Sequence, residues 1–180
     1  MADRTALVSG ADPDLRRQLT ERLAADGIVV ADRPGEELDV VVHVVGLPAP
    51  GAFAGADAGA WYADVMAELT PAFQVVRDAV PALRRSGAGR IVFIGAGWWP
   101  ADRPGSTAAA AVHGALVALT KTLARDLGPD GITVNEVVVD PGSPAEPTAV
   151  AAAVAYLCRP QAGATVGQLL TVARGGPLRP

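Results

Sequence analysis

The sequence predicts an α/β fold with a doubly wound, parallel sheet of about six strands. Short apolar runs alternate with amphipathic segments along the whole chain, and the connections between them are short. The run Leu38–Val45 is apolar on both faces, as expected for a central parallel strand covered by helices on both sides. The 180 residues, half of them hydrophobic, suit one compact domain over residues 1–180.

The predicted elements follow from local signals. Asp12 is suited to cap a helix and Pro13 to its first position, and Gly27 is suited to end it. Apolar residues recur at helical spacing in the later long segments. We expect helices over 14–26, 60–85, 107–127 and 148–157, and strands over 5–9, 28–30, 38–45, 90–94, 132–139 and 168–172.

Composition excludes several classes of function. A net charge of −4 and a pI of about 5.1 argue against a nucleic-acid partner. The longest apolar run is too short to span a bilayer, and no secretory signal opens the chain, so we expect a cytoplasmic protein without membrane association. Cys158 is the single cysteine, which excludes an intrachain disulfide, and we expect no metal site. Arginine and alanine predominate as in high-GC bacterial genomes.

Several stretches resemble the short-chain dehydrogenase/reductase family, in the family's order. They are Ala6–Ala11, Leu38–Val42, Gly89–Ile94, Ala115–Leu127, Gly131–Asn135, Pro141–Gly142 and Gly167–Val172. The resemblance implies a Rossmann-like fold. It passes from the second strand directly to the central one across Asp32–Glu37, so the family's third strand and its helices are expected to be missing.

The resemblance also locates the family's nucleotide-binding turn, whose three glycines would fall on Gly10, Asp14 and Arg16. Only the first is glycine, and Asp12 and Asp14 bring carboxylates to the place where phosphates would lie. Asp32 could hold a ribose, although an aspartate in a turn is the simpler interpretation. We therefore expect no NAD(P) and no other cofactor.

The family's four catalytic positions are altered as well. By the resemblance, the tyrosine position is Ala109, the lysine His113, the serine Ala96 and the asparagine Glu68. Alanine can neither donate a proton nor hold a carbonyl by a hydrogen bond. We expect the family's reaction to be absent.

These expectations lead to a non-catalytic subunit, a pseudoenzyme that stabilises or shapes an oligomer with an active homologue or with itself. The resemblance implies an interface through the helices at about 60–85 and 107–127. The alternative is a cofactor-independent lyase, isomerase or cyclase that uses His113 and Glu68 in the former cleft. A small-molecule or nucleotide sensor is a third possibility.

The roles of two further side chains stay open. Trp98 and Trp99 lie in a loop that would overhang a substrate, where they could either anchor a ligand or fill the cleft. His43, near the end of the central strand, is interpreted as a core histidine whose hydrogen bonds are satisfied. The simpler interpretation of His113 is a partly buried helix residue with a local partner.

Overall fold

A computed structural model describes residues 4–33, 35–97, 104–139 and 146–173. Six parallel strands form one sheet in the order β2-β1-β3-β4-β5-β6. The strands are β1 (Arg4–Gly10), β2 (Ile28–Ala31), β3 (Val40–Val44), β4 (Arg90–Ala96), β5 (Thr133–Val139) and β6 (Leu169–Val172). The predicted class, strand number and missing third strand are confirmed, since β2 forms the edge of the sheet beside β1.

Four helices connect the strands. They are α1 (Pro13–Ala25), α2 (Ala58–Ser86), α3 (Thr107–Leu127) and α4 (Pro147–Cys158), with short 3-10 turns at Gly128–Asp130 and Pro160–Ala164. Their bounds agree with the prediction to within two residues. Asp12 caps α1 as predicted, because its carboxylate accepts a hydrogen bond from the Leu15 amide at 2.9 Å.

Successive residues of a strand face opposite sides of the sheet, so the two faces form separate cores. One core packs the sheet against α2 and α3 and includes Val41, Phe93 and Leu116. The other includes Val42 and Val137, which pack with residues of α1 and α4. The crevice between β1 and β3 lies where the connections change sides, which is where ligands bind in open α/β sheets.

One helical segment, Thr107–Asp130, is long and apolar enough to cross a bilayer by length and composition. Core helices share that composition. The segment contains α3, which packs on β4, β5 and α2 and buries Val112, Leu116 and Ala124. Its composition is therefore accounted for by its place in the layer that covers the sheet.

Candidate active site

The turn after β1 keeps the close backbone approach that its glycine allows. Gly10 has φ +102°, and a Cβ there would lie 2.0 Å from the Val44 carbonyl oxygen. The Ala11 amide donates to the same carbonyl at 2.8 Å. Glycine is required at this position, so the first residue of the predicted nucleotide turn has the geometry that the resemblance implied.

The other residues at the family's nucleotide-binding positions lie around the start of α1 or beyond β2. Asp14, in the first helical turn, has a side chain 89% exposed and 3.9 Å from the Arg17 guanidinium. Arg16 is half-buried, with its Nε lacking a hydrogen-bond partner among the described residues. Asp32 is exposed just after β2. Two carboxylates therefore flank the start of α1, one of them that of Asp12.

Glu68 reaches from α2 to the end of the central strand. Its Oε2 accepts a hydrogen bond from the Gly46 amide at 2.7 Å. A Cβ on Gly46 would lie 2.5 Å from that oxygen, so the contact requires glycine there. Glu68 is thus tied to the backbone after β3.

The other positions of the family's catalytic set lie on α3 and β4. Ala96 is the last residue of β4 and is half-buried, whereas Ala109 is buried in the first turn of α3. His113 lies one turn further along α3, with 17% of its side chain exposed. Of these three residues, only His113 offers a group that can exchange a proton near pH 7.

The carboxylate beside His113 is Glu136 of β5, a residue that the sequence reasoning did not identify. His113 Nδ1 lies 3.9 Å from Glu136 Oε1, too far for a hydrogen bond but within reach of a charge interaction. Glu136 is fully buried, and neither carboxylate oxygen nor His113 Nδ1 has a hydrogen-bond partner among the described residues. Buried polar groups without partners are rare and point to a use other than stability.

Burial sets the charge of both groups. It raises the pKa of Glu136 to about 7 and lowers the pKa of His113 below its usual 6.5. Both shifts favour the neutral forms. At their separation, opposite charges attract by about 4 kcal/mol in partly buried surroundings, so a proton placed on His113 favours ionisation of Glu136. The two groups therefore respond to each other.

The sheet below Glu136 is shaped to receive its carboxylate. A Cβ on Gly95 of β4 would lie 2.7 Å from Glu136 Oε1 and 2.7 Å from Leu116 Cδ2. A larger side chain at Gly95 would have to displace one of them. The glycine therefore leaves the space into which the carboxylate extends below α3.

A second polar pair lies further across the same face. Ser9 Oγ and His43 Nδ1 are 2.9 Å apart, and burial lowers the pKa of His43 from 6.5 to about 4. Ser9, His43, Phe93 and Glu136 are register partners on four neighbouring strands. The interpretation of His43 as a hydrogen-bonded core histidine agrees with this geometry, and the ring is neutral at pH 7.

Some predicted features lie outside the described residues, among them Trp98 and Trp99. Within the described ranges, no group of three His, Cys, Asp or Glu side chains could hold a metal ion. Cys158 is a buried free thiol, and burial raises its pKa to about 12.

The fold and the site define a parallel α/β protein in which His113 and Glu136, the ionisable groups of the candidate site, lie between the sheet and α3. The chain belongs to the short chain dehydrogenase family, whose model matches residues 27–152.

Two curated relatives illustrate the match. The chain is 37% identical over 106 residues to trans-4-hydroxycyclohexanecarboxylate dehydrogenase from Sinomonas cyclohexanicum, covering 59% of this chain and 40% of that protein. It is 35% identical over 127 residues to an uncharacterized NAD-dependent oxidoreductase from Mycobacterium tuberculosis, covering 70% and 43%. The chain thus spans about two fifths of the length of these relatives.

Solved structures show the same fold. The reductase YwfH, described as NADPH-dependent and involved in bacilysin biosynthesis, superposes with a TM-score of 0.84 at 16% identity, covering 97% of this chain and 100% of that chain. Acetoin dehydrogenase from Enterobacter cloacae superposes with a TM-score of 0.80 at 22% identity, covering 94% of each chain.

These matches overturn the expected function. The prediction of a non-catalytic subunit is wrong, because the family model is that of a dehydrogenase and the matched proteins are named as dehydrogenases, reductases or oxidoreductases. Among the described residues, His113 and Glu68 of the alternative function do not form an ion pair with each other. Glu68 binds the Gly46 amide, whereas His113 faces Glu136.

The family's dinucleotide requires a phosphate cradle, and the residues around α1 do not provide one. The Leu15 amide, a donor that a phosphate could use, already binds the Asp12 carboxylate. Asp14 adds a second negative charge in the first helical turn. The turn at Gly10 fits a dinucleotide, and the start of α1 does not.

Proposed function

We propose that this chain is a short-chain-dehydrogenase-family enzyme that transfers a proton, not a hydride, on a small carbonyl compound. His113 is the proton-transfer group, and Glu136 positions it and sets its charge. The observation that carries the proposal is the buried, unpartnered carboxylate of Glu136 at 3.9 Å from His113 Nδ1. Perturbed ionisable pairs of this kind are typical of functional sites.

The altered motif positions support proton transfer over the family's redox step. We propose that Ala109 and Ala96 leave the site without the phenol and the hydroxyl of the family's catalytic set. The carboxylates of Asp12 and Asp14 disfavour the family's hydride donor. The chain has thereby lost the cofactor and catalytic motifs while retaining one proton-transfer group.

The geometry suits enolisation. Because Nδ1 is buried and faces Glu136, Nε2 is the ring nitrogen available to a substrate. The proton on the carbon next to the carbonyl moves to Nε2, and the electron pair of the broken C–H bond forms the enolate. Return of that proton to the enolate oxygen gives the enol, which is an isomer of the substrate, and its return to the α-carbon regenerates the carbonyl compound; either restores neutral His113.

Glu136 determines how this step depends on pH. Below its pKa of about 7 the carboxyl is neutral, and above it the carboxylate stabilises the imidazolium that forms on His113. The rate is therefore expected to rise with pH through about 7. Glu136→Gln keeps the shape of the side chain and should remove this rise.

Hydrogen–deuterium exchange tests the proposal directly. Acetoin and a 3-oxobutanoate ester in D2O should lose their α-proton NMR signals faster with the protein than in buffer. His113→Ala should lower this acceleration by about 100-fold or more. Thr122→Ala, an exposed change on the same helix, is the matched control and should leave it unchanged. Exchange no faster than in buffer, or full activity of His113→Ala, would refute the assignment.

The partner proposal concerns the outer faces of α2 and α3. An open, mainly apolar groove of about 470 Å³ runs between these helices, lined among others by Met66, Leu69, Phe73 and Leu119. We propose that a second copy or a homologue covers it in a cytoplasmic oligomer. Phe73, whose side chain is 54% exposed, presents a large apolar surface there.

Analytical ultracentrifugation of two variants distinguishes loss of this interface from a general effect of added surface charge on association. Phe73→Glu should shift the protein to monomer. Tyr62→Glu, on the same helix, 61% exposed and not lining the groove, should not shift it. A wild-type monomer, or equal behaviour of the two variants, would exclude this interface.

A further inference from the structure

Two backbone amides beyond the carboxyl edge of the sheet bind carboxylates of this same chain. The Leu15 amide donates to Asp12 Oδ1 at 2.9 Å, and the Gly46 amide donates to Glu68 Oε2 at 2.7 Å. Asp12 and Gly46 each lie two residues beyond a register pair, Gly10 and Val44, on the adjacent strands β1 and β3. Both contacts therefore border the crevice where the connections of the sheet change sides.

Asp12 is held in an unusual conformation for this contact. Its φ of +57° makes it the only non-glycine residue with positive φ among those described. That conformation costs free energy for a residue with a Cβ, although aspartate tolerates it better than most. It places the carboxylate on the helix amide that would otherwise be available to an anion.

We infer that the carboxylates of Asp12 and Glu68 act as built-in anions that close this crevice to phosphate groups. The chain's ligand then lacks a phosphate. The nicotinamide dinucleotide is excluded because carboxylates already occupy the amides that its phosphates would use, and because those carboxylates are negatively charged. Asp14 adds a third carboxylate near the start of α1, with its side chain exposed and 3.9 Å from the Arg17 guanidinium. This inference deepens the proposed function, which uses the carboxylates of Asp12 and Asp14 to disfavour the hydride donor, but its test measures anion binding and not proton transfer by His113.

A gain of binding tests the inference. Asp12→Gly frees the Leu15 amide and suits the positive φ, and Asp14→Gly restores the family's glycine. Calorimetric titration uses inorganic pyrophosphate, which isolates the phosphate cradle from any adenine pocket, and NADH in parallel. The wild-type protein should give no saturable binding of either up to millimolar concentration. The double glycine variant should bind pyrophosphate at least tenfold more tightly.

The control variant separates occupation from charge. Asp12→Asn keeps an acceptor on the Leu15 amide but removes the charge, so combined with Asp14→Gly it should gain less than the double glycine variant. Circular dichroism confirms that each variant is folded. Saturable binding of NADH by the wild-type protein overturns the inference, and so does a folded double glycine variant that binds pyrophosphate no better than wild type. Neither result bears on exchange by His113, which NMR measures separately.

Discussion

Asn135 and Glu136 are neighbours on β5 that face opposite sides of the sheet. Asn135, 1% exposed, donates from Nδ2 to the Thr165 carbonyl at 2.8 Å and accepts at Oδ1 from the Gln168 amide at 2.9 Å. Glu136, fully buried, has neither oxygen hydrogen-bonded among the described residues. The side chain of Asn135 is hydrogen-bonded to the backbone, whereas the carboxylate of Glu136 has no hydrogen-bond partner among the described residues.

The same contrast holds for the two faces more widely. On the face of α1 and α4, the strands present apolar side chains such as Val42, Val92 and Val137 along most of their length. On the face of α2 and α3, His43, His113 and Glu136 are titratable and largely buried, and burial shifts the pKa of each. The first face also buries the titratable residues Arg90 and Cys158, but Arg90 donates to the Ala88 and Gly89 carbonyls. On the second face Glu136 has no hydrogen-bond partner among the described residues, so its burial costs stability and leaves a group that chemistry can use.

The largest effect should come from placing a carboxylate on the apolar face. Val137→Glu buries a charge one residue from Glu136 but among side chains of α1 and α4, where nothing prepares a site. We expect a loss of about 4 kcal/mol in the free energy of unfolding, measured by urea denaturation. A loss below about 1 kcal/mol would show that the two faces tolerate charge equally.

The dependence of stability on pH should distinguish the titratable groups of the second face. Native Glu136 keeps its proton up to about pH 7 whereas the unfolded chain loses it near 4.5, so this residue lowers stability as pH rises between those values, by about 3 kcal/mol in all. Native His43 stays neutral down to about pH 4 whereas the unfolded chain protonates near 6.5. It therefore lowers stability by a similar amount as pH falls from 6.5 to 4.

Between about pH 4.5 and 6.5, Glu136 lowers stability as the pH rises, whereas His43 lowers stability as the pH falls. His113, whose pKa is also lowered by burial, acts in the same direction as His43. Glu136→Gln removes the contribution of Glu136 to the pH dependence of stability. In that variant we expect stability to rise steadily from pH 4 to 6.5 and then to level off, as measured by denaturation at intervals of one pH unit. A pH profile identical to that of wild type would mean that Glu136 does not titrate in this range.

A smaller effect is expected at the satisfied neighbour. Asn135→Leu should leave the Thr165 carbonyl and the Gln168 amide without their partner and lower the free energy of unfolding by about 2 kcal/mol. Glu136→Leu is the matched change on the other face and should raise stability above pH 7, because it removes a buried carboxylate. Denaturation at pH 8 compares the two, and changes of the same sign would contradict the contrast.

Local signals predicted the fold well, since apolar runs, the Asp12 cap and the Pro13 start each depend on neighbours in sequence. His113 was identified as a candidate, but its partner was not, because contact between α3 and β5 is set by packing. A signal for Glu136 did exist. It is the one charged residue within the apolar strand Thr133–Val139. The partner of Glu68 is a backbone amide after β3, and a sequence pattern does not show how far α2 extends over that strand.

The edge position of β2 has a consequence for association between sheets. Within the part of the chain that the structure describes, no strand covers this edge, and Val29 is 53% exposed there. The strand is only four residues long and is followed directly by the charged pair Asp32 and Arg33. A template so short offers few free amide and carbonyl groups to an incoming strand, and the adjacent charges oppose fibril-like growth from this side.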